Sequence, residues 1–394
     1  MNLSILIGMS AKEWRRGGAW SPQRFKGAQW LQSLVLTTGF GLLYFGPDKW
    51  LAPMVQGLSW PFDWVGIDAN RWHIYGLLYT LVVLLFGAKS LLKYRRHPQQ
   101  RRRYIVLILV QLIFAFSLPL ILPAWLHQDV SFNLDFKLFW PLHATFFDAY
   151  HLEAMLNGGT LGRLSLLAGI VMFLVVAPWA TYRYGKGWYC SWICGCGALA
   201  ETAGDAFRHL NQPKRKHWAL ERWTIYAVLV WVTLSTIAVV WGYVAGVQRI
   251  AGLDIYHTFT KPYGFLISSL FSGVLGVGLY PLLGNRVWCR FGCPLAAYMG
   301  LIQRWKSRFR IEVQAKSCIS CGACSAACEM GINVQDYAEQ GTPIRRAACV
   351  GCGMCEVACP RSVLALTTEK QRLPDPPIHF DGDSFKISAE SNVT

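Results

Sequence analysis

Near the end of the chain stands Cys318-Ile-Ser-Cys321-Gly-Ala-Cys324-Ser-Ala-Ala-Cys328, followed by Cys349-Val-Gly-Cys352-Gly-Met-Cys355-Glu-Val-Ala-Cys359-Pro360. Each run reads C-x2-C-x2-C-x3-C. Three closely spaced thiolates wrap one loop around three corners of an iron–sulfur cubane. The fourth cysteine opens a short helix that points away, toward a second cubane. The expected ligand sets are therefore interleaved. Cys318, Cys321, Cys324 and Cys359 hold one [4Fe–4S] cluster, and Cys349, Cys352, Cys355 and Cys328 hold the other. Structural zinc competes, but zinc takes four ligands, commonly as two pairs, and two runs of four at this rhythm do not suit it.

The spacing is that of bacterial two-cluster ferredoxins, which predicts a C-terminal α+β module over residues 311–370. One departure is Glu329, which stands where proline usually follows the fourth cysteine. A carboxylate beside a cluster is expected to lower its potential slightly. Beyond it, residues 371–394 carry Pro374, Pro376 and Pro377 among Ser and Asp, which predicts a disordered or docking tail.

Outward from this module the chain changes character. It has 394 residues, 53% hydrophobic and only 15% charged, with a mean hydropathy of +0.29. Soluble proteins usually carry about 25% charged residues, so the composition predicts a membrane protein. Six segments are long and apolar enough to span as helices: 28–46, 73–92, 104–126, 162–182, 223–247 and 263–284. The expected fold is a polytopic all-α bundle over 28–310, following a cytoplasmic segment 1–27 in which no export signal is read. Pro119, Pro123 and Pro178 fall within spans and are expected to kink them. Gly264, Ser268, Ser272, Gly273 and Gly276 give the sixth span small residues for close helix contact.

The net charge of +16 raises the question of nucleic acid. The basic residues, however, sit in short clusters beside apolar spans, as membrane orientation requires. Residues 93–103 hold six basic residues and no acid, whereas 127–161 hold one and four. This alternation continues at every crossing and puts both termini, and all 13 cysteines, in the cytoplasm. There a reducing environment makes clustered cysteines metal ligands, not disulfides. The outer segments carry Trp50, Trp60, Trp64, Trp72, Trp125 and Trp140, expected as interface anchors, with a quinone pocket as the alternative. Of the histidines, His73, His127, His143, His151 and His257 fall on the outer side, without the in-span pairing of a haem b bundle.

A second pattern follows the fourth and sixth spans. Trp188-Tyr-Cys190-Ser-Trp-Ile-Cys194-Gly195 and Trp288-Cys289-Arg-Phe-Gly-Cys293-Pro294 are both C-x3-C, both preceded by a turn with Gly and a basic residue, and both followed by small residues. They form a weak internal repeat. Two such pairs at one depth predict a shared site, Cys190, Cys194, Cys289 and Cys293, for a third [4Fe–4S] cluster, a copper ion or a reversible dithiol. Buried structural cysteine is the plain alternative. Lys186, Arg286 and Arg290 nearby favour thiolate. Cys196 has no evident partner. No G-x-G-x-x-G or P-loop is present, so NAD(P)H oxidation by this chain alone is not expected.

These motifs together resemble the NapH/NosR-type membrane-bound polyferredoxins. That group includes the polyferredoxin subunit of periplasmic nitrate reductase systems, the nitrous oxide reductase maturation regulator and a cytochrome oxidase assembly factor. The resemblance covers about residues 160–366. Two departures stand out. Cys194 is followed by Gly195 where the family has proline, which predicts a looser turn, and no outer flavin-binding domain precedes the spans. The resemblance implies a multi-pass protein of the bacterial inner membrane. It would relay single electrons between the quinone pool or a cytoplasmic donor and a membrane or periplasmic redox partner, as a component of a complex. A copper-centre assembly or reduction factor and a redox sensor are the alternative readings.

Overall fold

The computed structural model describes residues 26–64, 66–122, 135, 137–211, 215–247, 249–250, 252–314 and 317–368, with the backbone of 378–380 and 385–387. Pro123, Trp125, His127, residues 1–25 and most of the expected tail lie outside these. Among the described residues four helices are long and apolar enough to cross a membrane: Arg71–Lys93, Pro98–Pro119, Gly159–Tyr184 and Ala219–Ala245. Their outward faces are apolar and exposed, as at Val230, Leu234, Ile237 and Trp241 on the last helix. That stripe at i, i+4, i+7 is what a helix shows to lipid when the core lies behind it.

The two other expected spans differ from these four. Residues Lys26–Phe45 form one helix with Gln29, Gln32 and several small polar residues in it. Residues 263–284 run as consecutive pieces, Gly264–Leu275, Gly276–Gly278 and Tyr280–Leu283. The two pack together closely. A Cβ on Gly273 would meet the Tyr44 ring at 2.5 Å, and Ser33 Oγ donates to Gly278 O at 2.7 Å. Gly273 and Gly278 thus leave room for Tyr44 and Thr37 of the Lys26–Phe45 helix.

Local chemistry sets the helix boundaries and widened turns. Asn70 caps Arg71–Lys93 by accepting from Trp72 N and His73 N, while His73 Nδ1 accepts from Asn70 N at 3.2 Å. His73 is therefore a capping residue. The Pro98–Pro119 span passes into a π-helical stretch, Gln111–Ile121, that contains Pro119. Met172–Val176 is π-helical just ahead of Pro178. Proline removes one N–H from the ladder, and a widened turn absorbs the loss.

Trp50, Trp60, Trp64 and Trp72 are exposed, as interface anchors are. Trp140 corrects the expectation for the segment 127–161: it is only 8% exposed. Its Nε1 donates to Thr236 Oγ1 at 2.8 Å, and its ring packs edge-on against Phe173. Charge counting treats that segment as an outer loop, yet Asp135, Lys137 and Phe139 are buried too, and the chain folds back into the bundle.

After the last helical segment, Arg310–Val313 pairs antiparallel with Leu364–Thr367, Ile311 facing Leu366. Between these strands lie three short helices, Ala323–Ala326, Val334–Gln340 and Met354–Ala358. The main core does not stop at this unit. Phe139, Ala177, Tyr189, Cys190, Cys194, Trp288 and Cys293 of the helical part and Cys324, Cys328, Cys349 and Cys355 of the C-terminal part belong to one buried cluster.

Candidate metal centres

The two long cysteine runs are geometric copies. Ser320 and Gly351, each just before the second cysteine, are left-handed at φ 53° and 60°. Gly322 and Gly353, each just after it, stand at 73° and 75°. Such positions coil the loop so that its thiols share one side, and only the non-glycine Ser320 is strained by it. The fourth cysteines also match. Cys328 Sγ accepts from Ile332 N, and Cys359 Sγ from Val363 N, both at 3.4 Å.

Cys318, Cys321, Cys324 and Cys359 line one cavity, with Ile319, Gln335 and Pro360 at its walls. This is the interleaved set expected from the spacing, three thiols from the first run and one from the second. A soft, four-thiol wall suits a [4Fe–4S] cluster. Among the described residues no three His, Cys, Asp or Glu side chains stand close enough to hold a single ion. The thiolates of a cubane each take a different iron and need no such closeness.

The two expected ligand sets differ in their surroundings. Cys321 is exposed, Cys318 and Cys359 are half-buried and Cys324 is buried, whereas Cys349, Cys355 and Cys328 are buried and Cys352 is half-buried. The loop of the second run is sewn to the helices through its carbonyls. Gln100 Nε2 donates to Cys352 O at 2.9 Å, Ser191 Oγ to Val350 O at 2.9 Å, and Gln303 Nε2 to Cys349 O at 2.8 Å and Arg346 O at 2.7 Å. Gly187 leaves room for this approach, since a Cβ there would lie 2.6 Å from Val350 O. Met354, fully buried, packs on the stacked Tyr94 and Tyr104 rings.

The C-x3-C pairs also repeat in space. Gly185 and Gly284 end helical segments at φ 70° and 92°. Cys190 and Cys289 lie in the short helices Gly187–Cys190 and Val287–Phe291, and Cys194 and Cys293 precede Gly195–Glu201 and Pro294–Lys306. The expected looser turn at Gly195 is absent. Cys194 and Cys293 share an extended backbone, with φ −62° and −78°, and Tyr79 OH fixes Gly195 O at 2.9 Å. All four thiols are buried. Cys190 lies within electrostatic reach of Cys194 and Cys289, and Cys293 of the other three. The two pairs lie in one region of the fold.

Sequence reading missed three features here. Cys196 hydrogen-bonds Cys194 and faces Cys289 and Cys293, so a fifth thiol borders the site. With backbone N–H groups of Cys196 and Gly197, it holds the Cys194 thiol below the usual range. The C-x-C step at the mouth of a helix was the available signal. Lys186, 2% exposed, lies within electrostatic reach of Cys190, Cys289, Cys293 and Cys349. Burial pushes its ammonium down, against the pull of those thiols. Glu329, finally, pairs with Arg208 and Arg286, so its charge sits in a buried network and does not stand free beside the cluster as expected. Arg290 turns away from the thiols to Glu221 and Asn211.

Comparison with known proteins agrees with the chemistry. Residues 317–364 match the model of a 4Fe-4S dicluster domain, and residues 165–214 and 265–312, which contain the C-x3-C pairs, each match a 4Fe-4S binding domain. YccM of Escherichia coli (strain K12), which bears the name of an electron transport protein, is 28% identical over 198 residues, 46% of this chain and 52% of that one. The regulatory protein NosR of Stutzerimonas stutzeri is 22% identical over 160 residues, 37% of this chain and 20% of NosR. The methylamine utilization ferredoxin-type protein MauN of Methylorubrum extorquens is 28% identical over 188 residues, 45% of this chain and 58% of MauN. The matched stretch thus spans about half of YccM and MauN and a fifth of NosR. No solved structure matches. With iron–sulfur motifs, apolar spanning helices and these relatives, the chain is similar to ferredoxin-type membrane electron-transport proteins.

Proposed function

We propose that this protein is a multi-pass protein of the bacterial inner membrane, with six spans and both termini cytoplasmic. It relays single electrons between the quinone pool or a cytoplasmic donor and a membrane or periplasmic redox partner. Cys318, Cys321, Cys324 and Cys359 hold one [4Fe–4S] cluster, Cys349, Cys352, Cys355 and Cys328 a second, and Cys190, Cys194, Cys289 and Cys293 a third metal site. The observation that carries the reading is the single buried core in which thiols of the C-x3-C pairs and of the long runs lie together. Bound clusters supply one-electron chemistry. The chain's own residues supply the rest. The C-x2-C-x2-C loops present thiols to one side, and backbone N–H groups at Ile332 and Val363 donate to the fourth sulfurs. Gln100, Ser191 and Gln303 keep the second loop dry and fixed on the helices.

In this reading the cytoplasmic segment ends at 27, the bundle at 310 and the ferredoxin domain at 370. The third site takes a cluster in this reading, because both C-x3-C segments match a 4Fe-4S binding model. Elemental analysis of the anaerobically purified full chain tests it. About eight irons mean two clusters and about twelve mean three. Fewer than two reducible centres in an EPR titration sink the relay. Stoichiometric copper lost on replacing Cys190 and Cys194 by Ser transfers the third site to copper handling.

A further inference from the structure

Glu329 occupies the position that Pro360 fills after the second run, and it is fully buried. Its Oε2 accepts from Arg286 Nε at 2.9 Å, and its Oε1 stands 2.8 Å from Arg208 Nη1 as an ion pair. Arg286 continues to Glu201, donates to Cys190 O at 3.1 Å and approaches Cys289 Sγ at 3.9 Å. Arg208 continues to Asp205 at 2.7 Å, and Arg103 closes on Glu201. Cys352 of the second run faces the same charges, Glu329 and Glu201 against Arg103 and Arg208. A buried network therefore lies between the Cys328 limb and the turns that carry Cys190 and Cys289.

Stability does not account for it. Buried ion pairs are often no better than apolar packing of the same volume, although removing one partner costs about 3–5 kcal/mol. The residue usual at this position, proline, needs no charge partner at all. What the network does supply is a fixed register and a fixed charge between two thiol-rich sites. We propose that Glu329 is a positioning residue which, with Arg208 and Arg286, seats the Cys328 limb against Cys190 and Cys289 and sets the charge beside the iron–sulfur centre that Cys328 helps to hold. The proposal rests on the reading above that Cys328 is a ligand of that centre.

The test is an EPR redox titration of the anaerobically purified full chain, with iron counted first. Glu329→Gln removes a negative charge beside the centre. At a fixed ambient potential near its midpoint, the reduced-to-oxidised ratio is expected to rise about tenfold. Arg286→Gln is expected to lower it by a similar factor. Glu329→Asp keeps the charge and the wild-type ratio, and the charge-balanced double variant Glu329→Gln with Arg208→Gln returns to it. The centre held by Cys318, Cys321, Cys324 and Cys359 stays unmoved throughout. Opposite signs for Glu329→Gln and Arg286→Gln are a signature that loosened packing does not produce. Shifts of one sign, shifts in both centres alike, or no shift with iron retained overturn the proposal. So does iron lost in Glu329→Gln that the double variant fails to restore. Wild-type protein with fewer than about eight irons overturns the ligand reading instead.

Discussion

The first and second cysteine runs have the same backbone and opposite surroundings. Ser320 and Gly322 repeat as Gly351 and Gly353, down to the sign and size of φ. Yet the first run lines a cavity that leaves Cys321 exposed, while the second lies under Gln100, Ser191 and Gln303. The local motif shapes a loop that can hold a cubane. Residues far away in the chain decide whether that loop meets solvent or the helices. In a relay this asymmetry assigns the ends. The open run suits exchange with a soluble partner, and the covered run suits exchange with the membrane part.

Matched substitutions in the two runs can break that assignment. The largest difference is expected from cysteine removal. Cys349→Ser and Cys321→Ser should each cost about four irons per chain. Only Cys349→Ser should also free the C-terminal part for proteolysis, because its loop is the docked one. Equal protease sensitivity would erase the distinction. Next comes close approach. Gly187→Ala puts a Cβ 2.6 Å from Val350 O, and overpacking of this kind costs about 1–3 kcal/mol. Gly322→Ala strains a left-handed position for about 1–2 kcal/mol but leaves the docking intact. Thermal melts and protease resistance should separate the two. A hydrogen-bond pair gives the last comparison. Gln303→Ala leaves the Cys349 and Arg346 carbonyls and the Lys186 N–H without this partner, about 1 kcal/mol for each bond lost. Gln335→Ala, whose amide meets Ser320 O in an exposed setting, should change the melt by no more than about 0.5 kcal/mol. A larger loss at Gln335 than at Gln303 would reverse the comparison.

How much was legible follows from the range of each interaction. The cysteine runs were readable because ligand spacing is local, and the cavity at Cys318, Cys321, Cys324 and Cys359 follows the interleaving it implied. Spanning helices were readable because lipid demands apolar length. The helix at 26–45 and the broken stretch at 263–284 were harder, since small and polar residues there serve contact with each other. That the C-x3-C pairs lie in one region was suggested by repetition. Lys186 and Glu329 stood out in the sequence, but their partners did not, because those come from other segments; the partner of Cys196 is the nearby Cys194. Trp140 failed as an anchor for the same reason, its partner Thr236 lying on another helix.

The returning segment around Asp135–Phe139 has a consequence for energetics across the bilayer. Lys137 pairs with Asp135, and its ammonium also donates to Phe114 O. Its carbonyl accepts from Tyr189 OH at 2.6 Å, one residue from Cys190. Gln111 and Tyr79, which hold Ile193 O and Gly195 O, lie about 12 Å from Arg103 and about 21 Å from Lys93 along their spans, at 1.5 Å per residue. Buried polar groups of the returning segment and of the spans therefore meet at the thiol-bearing turn. Each elementary charge moved through the full membrane drop carries about 2.3 kcal/mol per 100 mV. Under the proposed relay, transfer through this turn would respond to the membrane voltage.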